Sequence, residues 1–367
     1  MTWPHQQGLL PFGHMLVYGF LPSPLKVLLY RLRGYRIGKG VKIGLGSIVM
    51  GEDVQIGDHT SIGFFDIIRG RRIDIGSHVS VGSASYIRTS DIELGDGAVL
   101  TEQVFIGGQQ EMEGSKFKLG RNAIVMYLTF INTFRPVTIG DDSGIGGHCI
   151  IVSHGTWSNA FDGYPVKFEP VEIGERVWLP WRVFVMPGAR IGDGCVIGAN
   201  SLVSGEIPPY SLAVGSPARV VKSDFPTAPS PEKKAAIFDE LVNELLSHFR
   251  FHRFDIKRSG CFIEFSKTET RRLFGKKQVR GCLYVARDRD ALAGLAGARA
   301  GTPVQLVLSL PEIDRELRRS LNSDGIMWME IEGKERSERS HDAFSREIAQ
   351  VVGRWGVRFS YVKDPAV

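Results

Sequence analysis

VEIGERVWLPWRVFVMPGARIGDGCVIGANSLV, residues 171–203, places an aliphatic side chain at every sixth position: Ile173, Leu179, Val185, Ile191, Ile197 and Val203. Upstream the same period returns in triplets, beginning Ile37, Ile43, Val49 and then Ile56, Ile62, Ile68. It continues through Ile75, Val81, Ile87; Leu94, Leu100, Ile106; Leu119, Val125, Ile131; and Ile139, Ile145, Ile151. All 24 positions of the eight triplets are Ile, Leu or Val, and Gly follows 14 of them. The residue two before is mostly small or β-branched, as at Val41, Ser47, Thr60, Ala98, Cys149, Ala189 and Ser201.

Residues two apart on a strand share a face, so the aliphatic and the small residue both point inward. Six residues per side and three sides per turn describe a triangular coil stacked on itself, each turn bonded only to its neighbours. The expected fold is therefore mainly β: a parallel β-helix of about eight coils with a C-terminal α/β or α+β domain. Each inward Ile contributes about 1.5–3 kcal/mol by burial, so an inward charge should disrupt the stack. Gly is expected where the backbone turns with positive φ. Cys149, Cys195 and Ser201 are core residues in this reading, and with no CxxC pair the four cysteines fit a reducing, cytoplasmic setting.

Two gaps interrupt the ladder. Ile106 and Leu119 lie 13 positions apart, and Ile151 and Ile173 lie 22 apart. Long excursions from a rigid scaffold are where function concentrates.

The larger excursion and its surroundings carry a resemblance. A His opening the excursion, VEIGERVW, MPGARIGDGCVIGANSLV and the exit IPPYSLAVGSPARVVK are similar to the hexapeptide-repeat acyltransferases, especially the maltose/galactoside and xenobiotic O-acetyltransferase branch. The resemblance implies a left-handed helix, a homotrimer, acetyl-CoA as acyl donor, a sugar or glycolipid acceptor and no metal. It places His154 as general base, because a hydroxyl needs its proton taken as it attacks a thioester and imidazole titrates nearest neutral. His148 is the local rival. Asp162 and Glu169 are candidate orienters of His154, and Trp178 and Asn132 are candidates beside the acyl or acceptor site. Trp181, Arg182, Arg219 and Lys222 are candidates for the coenzyme.

The chain departs from the family at Pro180, which has no backbone donor, at Trp181, which adds bulk on the donor side, and at Met126, where that branch has Asn. These departures keep a non-catalytic β-helix scaffold open as a reading, alongside O-acetylation and the N-acylation of an amino sugar.

The flanking regions are read as residues 1–36, an N-terminal cap, and 225–367, an accessory domain, around a β-helix domain at 37–224. Leu9, Leu10, Phe12, Leu16 and Phe20 offer a peripheral membrane contact at the inner face of the cytoplasmic membrane. The apolar stretch is too short to span a bilayer. The net charge of +5 lies wholly beyond residue 224, where Lys and Arg number 25 and Asp and Glu 20. The basic run Lys267–Arg280 suits phosphate or a solvated hairpin, while nothing pairs aromatic and basic residues as nucleic acid would require. A helix is expected along Ile237, Leu241, Leu245 and Phe249, with strands at CFIEF, CLYVA, VQLVL and IMWMEI and further helices near 311–321 and 341–354.

Overall fold

A computed structural model describes residues 13, 15–107, 114–155, 158–271, 275–298, 304–337 and 343–362. The chain forms two compact units, Met1–Thr227 and Ala228–Val367.

The first unit is a parallel β-helix. Three sheets of 9, 10 and 8 strands form its three sides, and each strand pairs with the equivalent strand of the next coil. The register follows the aliphatic ladder: Ile37 pairs with Ile56, Ile43 with Ile62 and Val49 with Ile68. All 24 ladder residues are buried, as are Val41, Ser47, Thr60, Ala98, Cys149, Ala189 and Ser201 behind them. The excursion after Ile151 begins with a short antiparallel pair, His154–Gly155 against Lys167–Phe168. After the last coil, Leu212–Gly215 turns back onto Ala218–Lys222.

Two sequence expectations need correction. Of the 14 glycines that follow ladder residues, only Gly107 has positive φ, at 141°. At Gly38 a Cβ would lie 2.7 Å from the Asp58 nitrogen and 2.8 Å from the Gly57 carbonyl carbon, so close stacking of successive coils demands Gly there. The left-handed residue sits two positions later, and it is often not glycine: His59, His78, Ala84, Asn122, His148 and Arg182 all have φ between 54° and 61°.

The second correction is Asp66, a carboxylate fully buried among the inward corner residues. Its Oδ1 accepts the Ser85 N–H at 2.7 Å, its own N–H donates to Ser47 Oγ at 2.9 Å, and Oδ2 has no hydrogen-bond partner among the described residues. The stack tolerates it because burial pushes its pKa up from 3.8 to about 7, which keeps it neutral below that pH. Between those values the folded chain holds a proton that the unfolded chain has released. Stability therefore falls as pH rises through this window and levels off above about 7. Asp66→Asn should flatten that slope and raise stability at pH 8 by about 2 kcal/mol. Denaturant melts at pH 4 and pH 8 test this, and equal pH slopes in both proteins would refute it.

The open end of the first coil is closed by the helix Ser23–Leu32. Its Lys26 is fully buried, and Nζ donates to the carbonyls of Gly19 (3.1 Å), Gly44 (2.7 Å) and Ser47 (2.8 Å). An ammonium has three donors, and all are used. Lys26→Met strands these carbonyls and should cost about 3 kcal/mol, read as a lowered denaturation midpoint. An unchanged midpoint would show that the cap does not depend on Lys26. Phe20 is exposed; Leu9, Leu10 and Phe12, and the side chain of Leu16, lie outside the described residues. Among the described residues no helix is long and apolar enough to cross a membrane.

The second unit is α/β. Its seven-stranded mixed sheet runs in chain order from Asp255–Ser259 to Ser360–Val362. The strands include Phe262–Arg271, Gly275–Ala286, Leu306–Ser309 and Met327–Glu330. The helices Pro231–Phe251 and Ala343–Arg354 share one apolar core, which includes Leu241, Leu245, Phe249, Ile348 and Val351. Most of the basic run Lys267–Arg280 forms the hairpin Phe262–Arg271 and Gly275–Ala286, but residues 272–274 and the side chains of 269–277 lie outside the described residues.

Candidate active site

His154 lies where the chain leaves the third side of the helix, directly after the strand Ile150–Val152. Asn132, from the strand of the preceding coil, reaches it. Asn132 pairs in register with Val152, and its Oδ1 is 2.8 Å from His154 Nδ1. The same Oδ1 accepts the Phe134 N–H at 3.1 Å, which fixes the orientation of the amide. An amide oxygen only accepts, so His154 Nδ1 carries the proton and Nε2 presents a free lone pair. Asn132 is almost wholly buried and its Nδ2 donates to the Gly107 carbonyl at 3.4 Å. Ser153 Oγ donates to the Asn132 carbonyl at 2.9 Å and accepts the Arg135 N–H at 2.9 Å, tying the two strands together. The imidazole is parallel to the Phe168 ring (6.4 Å between centroids, 3° apart) and 5.3 Å from that of Phe134. A half-buried imidazole with one nitrogen fixed and the other open can accept a proton from a bound nucleophile.

The other candidates are distributed more widely. Asp162 is exposed on the short turn Ala160–Asp162. Glu169 is exposed beside Lys167 at 4.0 Å, its N–H donates to the Ser153 carbonyl at 3.1 Å, and its carboxylate lies over Gly188. Asn132, not either acid, is the hydrogen-bond partner of the His154 side chain. Trp178 lies on the second side, its ring stacked over Gly144, where a Cβ would approach it to 2.7 Å. Trp181 is at the following corner, edge-on to Tyr127 at 5.2 Å, with His148 5.8 Å away. Arg182 takes the left-handed corner position with φ 59°. Arg219 and Lys222 are exposed on the exit strand, and Lys222 Nζ sits 5.3 Å over the Phe225 ring. Elsewhere the residue after a ladder position donates to the ladder carbonyl of the next coil, as Gly146 does to Leu179 at 2.6 Å. Pro180 has no N–H to continue that rung.

Sequence reasoning missed one feature, the outward column of the third side. It reads Ile48, Ile67, Tyr86, Phe105, Phe130, Ile150, Phe184 and Leu202. Tyr86, Phe105 and Phe130 stack at 5.0 and 5.1 Å, and Phe130 and Ile150 are 38% and 37% exposed. The first side instead presents Arg36, Gln55, Asp74, Glu93 and Lys118 at the equivalent position. The signal was present one residue before each third-side ladder residue.

Residues 170–205 match the bacterial transferase hexapeptide (six repeats) family. This stretch carries the hexapeptide repeat found in bacterial transferases. Over 117 residues the chain is 38% identical to a probable acetyltransferase of Mycobacterium tuberculosis, covering 30% of this chain and 36% of that protein. Over 120 residues it is 37% identical to the galactoside O-acetyltransferase of Escherichia coli, covering 30% of this chain and 55% of that one. The match thus spans about half or less of these relatives' length. A solved galactoside acetyltransferase in complex with coenzyme A aligns with a TM-score of 0.27 at 25% identity, over 40% of this chain and 65% of that one.

Proposed function

We propose that the hexapeptide domain transfers an acyl group, acetyl in the leading reading, from acyl-CoA to a sugar hydroxyl, with His154 as general base. The observation that carries this is the Asn132–His154 pair, which fixes the imidazole and leaves Nε2 open at the mouth of the long excursion. In the proposed reaction Nε2 takes the acceptor's hydroxyl proton while the oxygen attacks the thioester carbonyl. The tetrahedral intermediate then collapses, the carbon–sulfur bond breaks, and the coenzyme thiolate takes the proton back from the imidazolium. The names of the relatives support acetyl and sugar as the two halves of the reaction.

Trp178, Trp181 and Arg182 lie on the second side and at its corner, not beside His154 on the third. If they serve the same reaction, a second copy must bring them there. The apolar outward column of the third side, which runs up to His154, supports such an assembly, and the family resemblance makes it a trimer.

A second reading, a non-catalytic scaffold, draws support from Pro180 and Trp181. Calorimetric titration of the full chain with coenzyme A separates the two. The enzyme reading expects micromolar binding that Trp178→Ala or Arg219→Ala weakens about 10-fold. No binding at millimolar coenzyme would favour the scaffold.

A further inference from the structure

In the second unit, His248 and His252 stand one turn apart at the end of the helix Pro231–Phe251 and face Glu347 on the helix Ala343–Arg354. One ligand atom from each of the three residues lies within 4.8 Å of the other two. His248 Nε2 is 2.7 Å from Glu347 Oε1, and the two imidazole centroids are 4.6 Å apart at 60°. From this geometry we propose that His248, His252 and Glu347 form a divalent transition-metal site, best suited to zinc, that joins the two helices.

The donor set argues for this. Two neutral imidazoles and one carboxylate are borderline ligands of the kind zinc takes, with a fourth position left for water. An ion pair with Glu347 needs only His248. It leaves unexplained a second imidazole within reach of the same carboxylate, which a divalent cation bound by both rings would account for.

The backbone is already fixed for the task. Phe249, next to His248, and Ile348, next to Glu347, are buried in the same apolar core, so both helices hold their ligands in place. Tetrahedral zinc sets its ligand atoms about 3.4 Å apart, so the cluster must contract at its widest and open slightly between His248 and Glu347. The exposed His252 side chain is free to make the larger part of that movement.

The test uses the untagged full chain, stripped with a chelator and titrated with zinc chloride. The expected result is one ion per chain at micromolar affinity or tighter. The melting temperature of the second unit should rise by about 5 °C at 100-fold excess over Kd. Cobalt should give the intense visible absorption of a tetrahedral site. His252→Ala, at an exposed helix end, and Glu347→Gln should each weaken binding at least 10-fold and remove the absorption. His59→Ala, which alters the stacked His59–His78 pair of the first unit, should change neither. No binding at 100 µM zinc overturns the proposal. So does stoichiometric binding that survives His252→Ala and Glu347→Gln, or that is lost in His59→Ala.

Discussion

On the proposed reading, His154→Ala is expected to lower acyl transfer by a factor of about 10²–10⁴ and to leave coenzyme binding and the melting temperature almost unchanged. The size follows from the role: without a base, the acceptor hydroxyl must lose its proton to water during attack. Folding is spared because the imidazole is only half-buried and its one hydrogen bond is to a side chain that has another donor in Phe134 N–H. Asn132→Ala is the informative companion. It leaves the base in place but removes the acceptor that holds Nδ1 protonated, so turnover should fall about 10-fold with KM little changed. Steady-state kinetics on the two variants measure this. An Asn132→Ala loss as large as that of His154→Ala would mean that Asn132 does more than position the ring.

If the third side is the interface of the proposed assembly, Phe130→Glu is expected to leave single chains and to abolish the proposed transfer with it. Phe130 points outward, stacks on Phe105 at 5.1 Å and is 38% exposed, so the folded single chain loses little by the change. In an assembly the same glutamate would be buried unpaired against another apolar face, at a cost of several kcal/mol per copy. Sedimentation velocity reads the result. Wild-type chains that sediment as monomers, or a Phe130→Glu variant that stays assembled, would rule out the third side as the interface.

The β-helix was legible because its constraint is periodic. One aliphatic per six residues fixes the inward column, and the register of 24 buried positions follows from it. Where a residue obeys local geometry instead, the period misleads. Ladder glycines answer to the coil above them, and the left-handed corners accept His, Asn and Arg. His154 was visible because it interrupts the pattern. Asn132 holds a third-side slot that varies from coil to coil, with Met50, Arg69, Arg88, Gly107 and Val152 in its neighbours, and its contact with His154 exists only because successive coils stack at that edge. Asp66 broke the small-residue column, in which Ser47 and Ser85 flank it one coil to either side. The second unit has no such period. Its histidines and Glu347, about a hundred positions apart, meet only through the packing of two helices.

The proposed chemistry is tested in the reaction itself. Acetyl-CoA and a panel of sugar acceptors are incubated with wild type and with His154→Ala, while free thiol and acetylated sugar are both quantified. The expected result is acceptor-dependent thiol release, matched mole for mole by acetylated sugar in wild type and reduced to about 1% or less in the variant. Equal turnover in the two proteins would contradict it, as would thiol release that no acceptor increases.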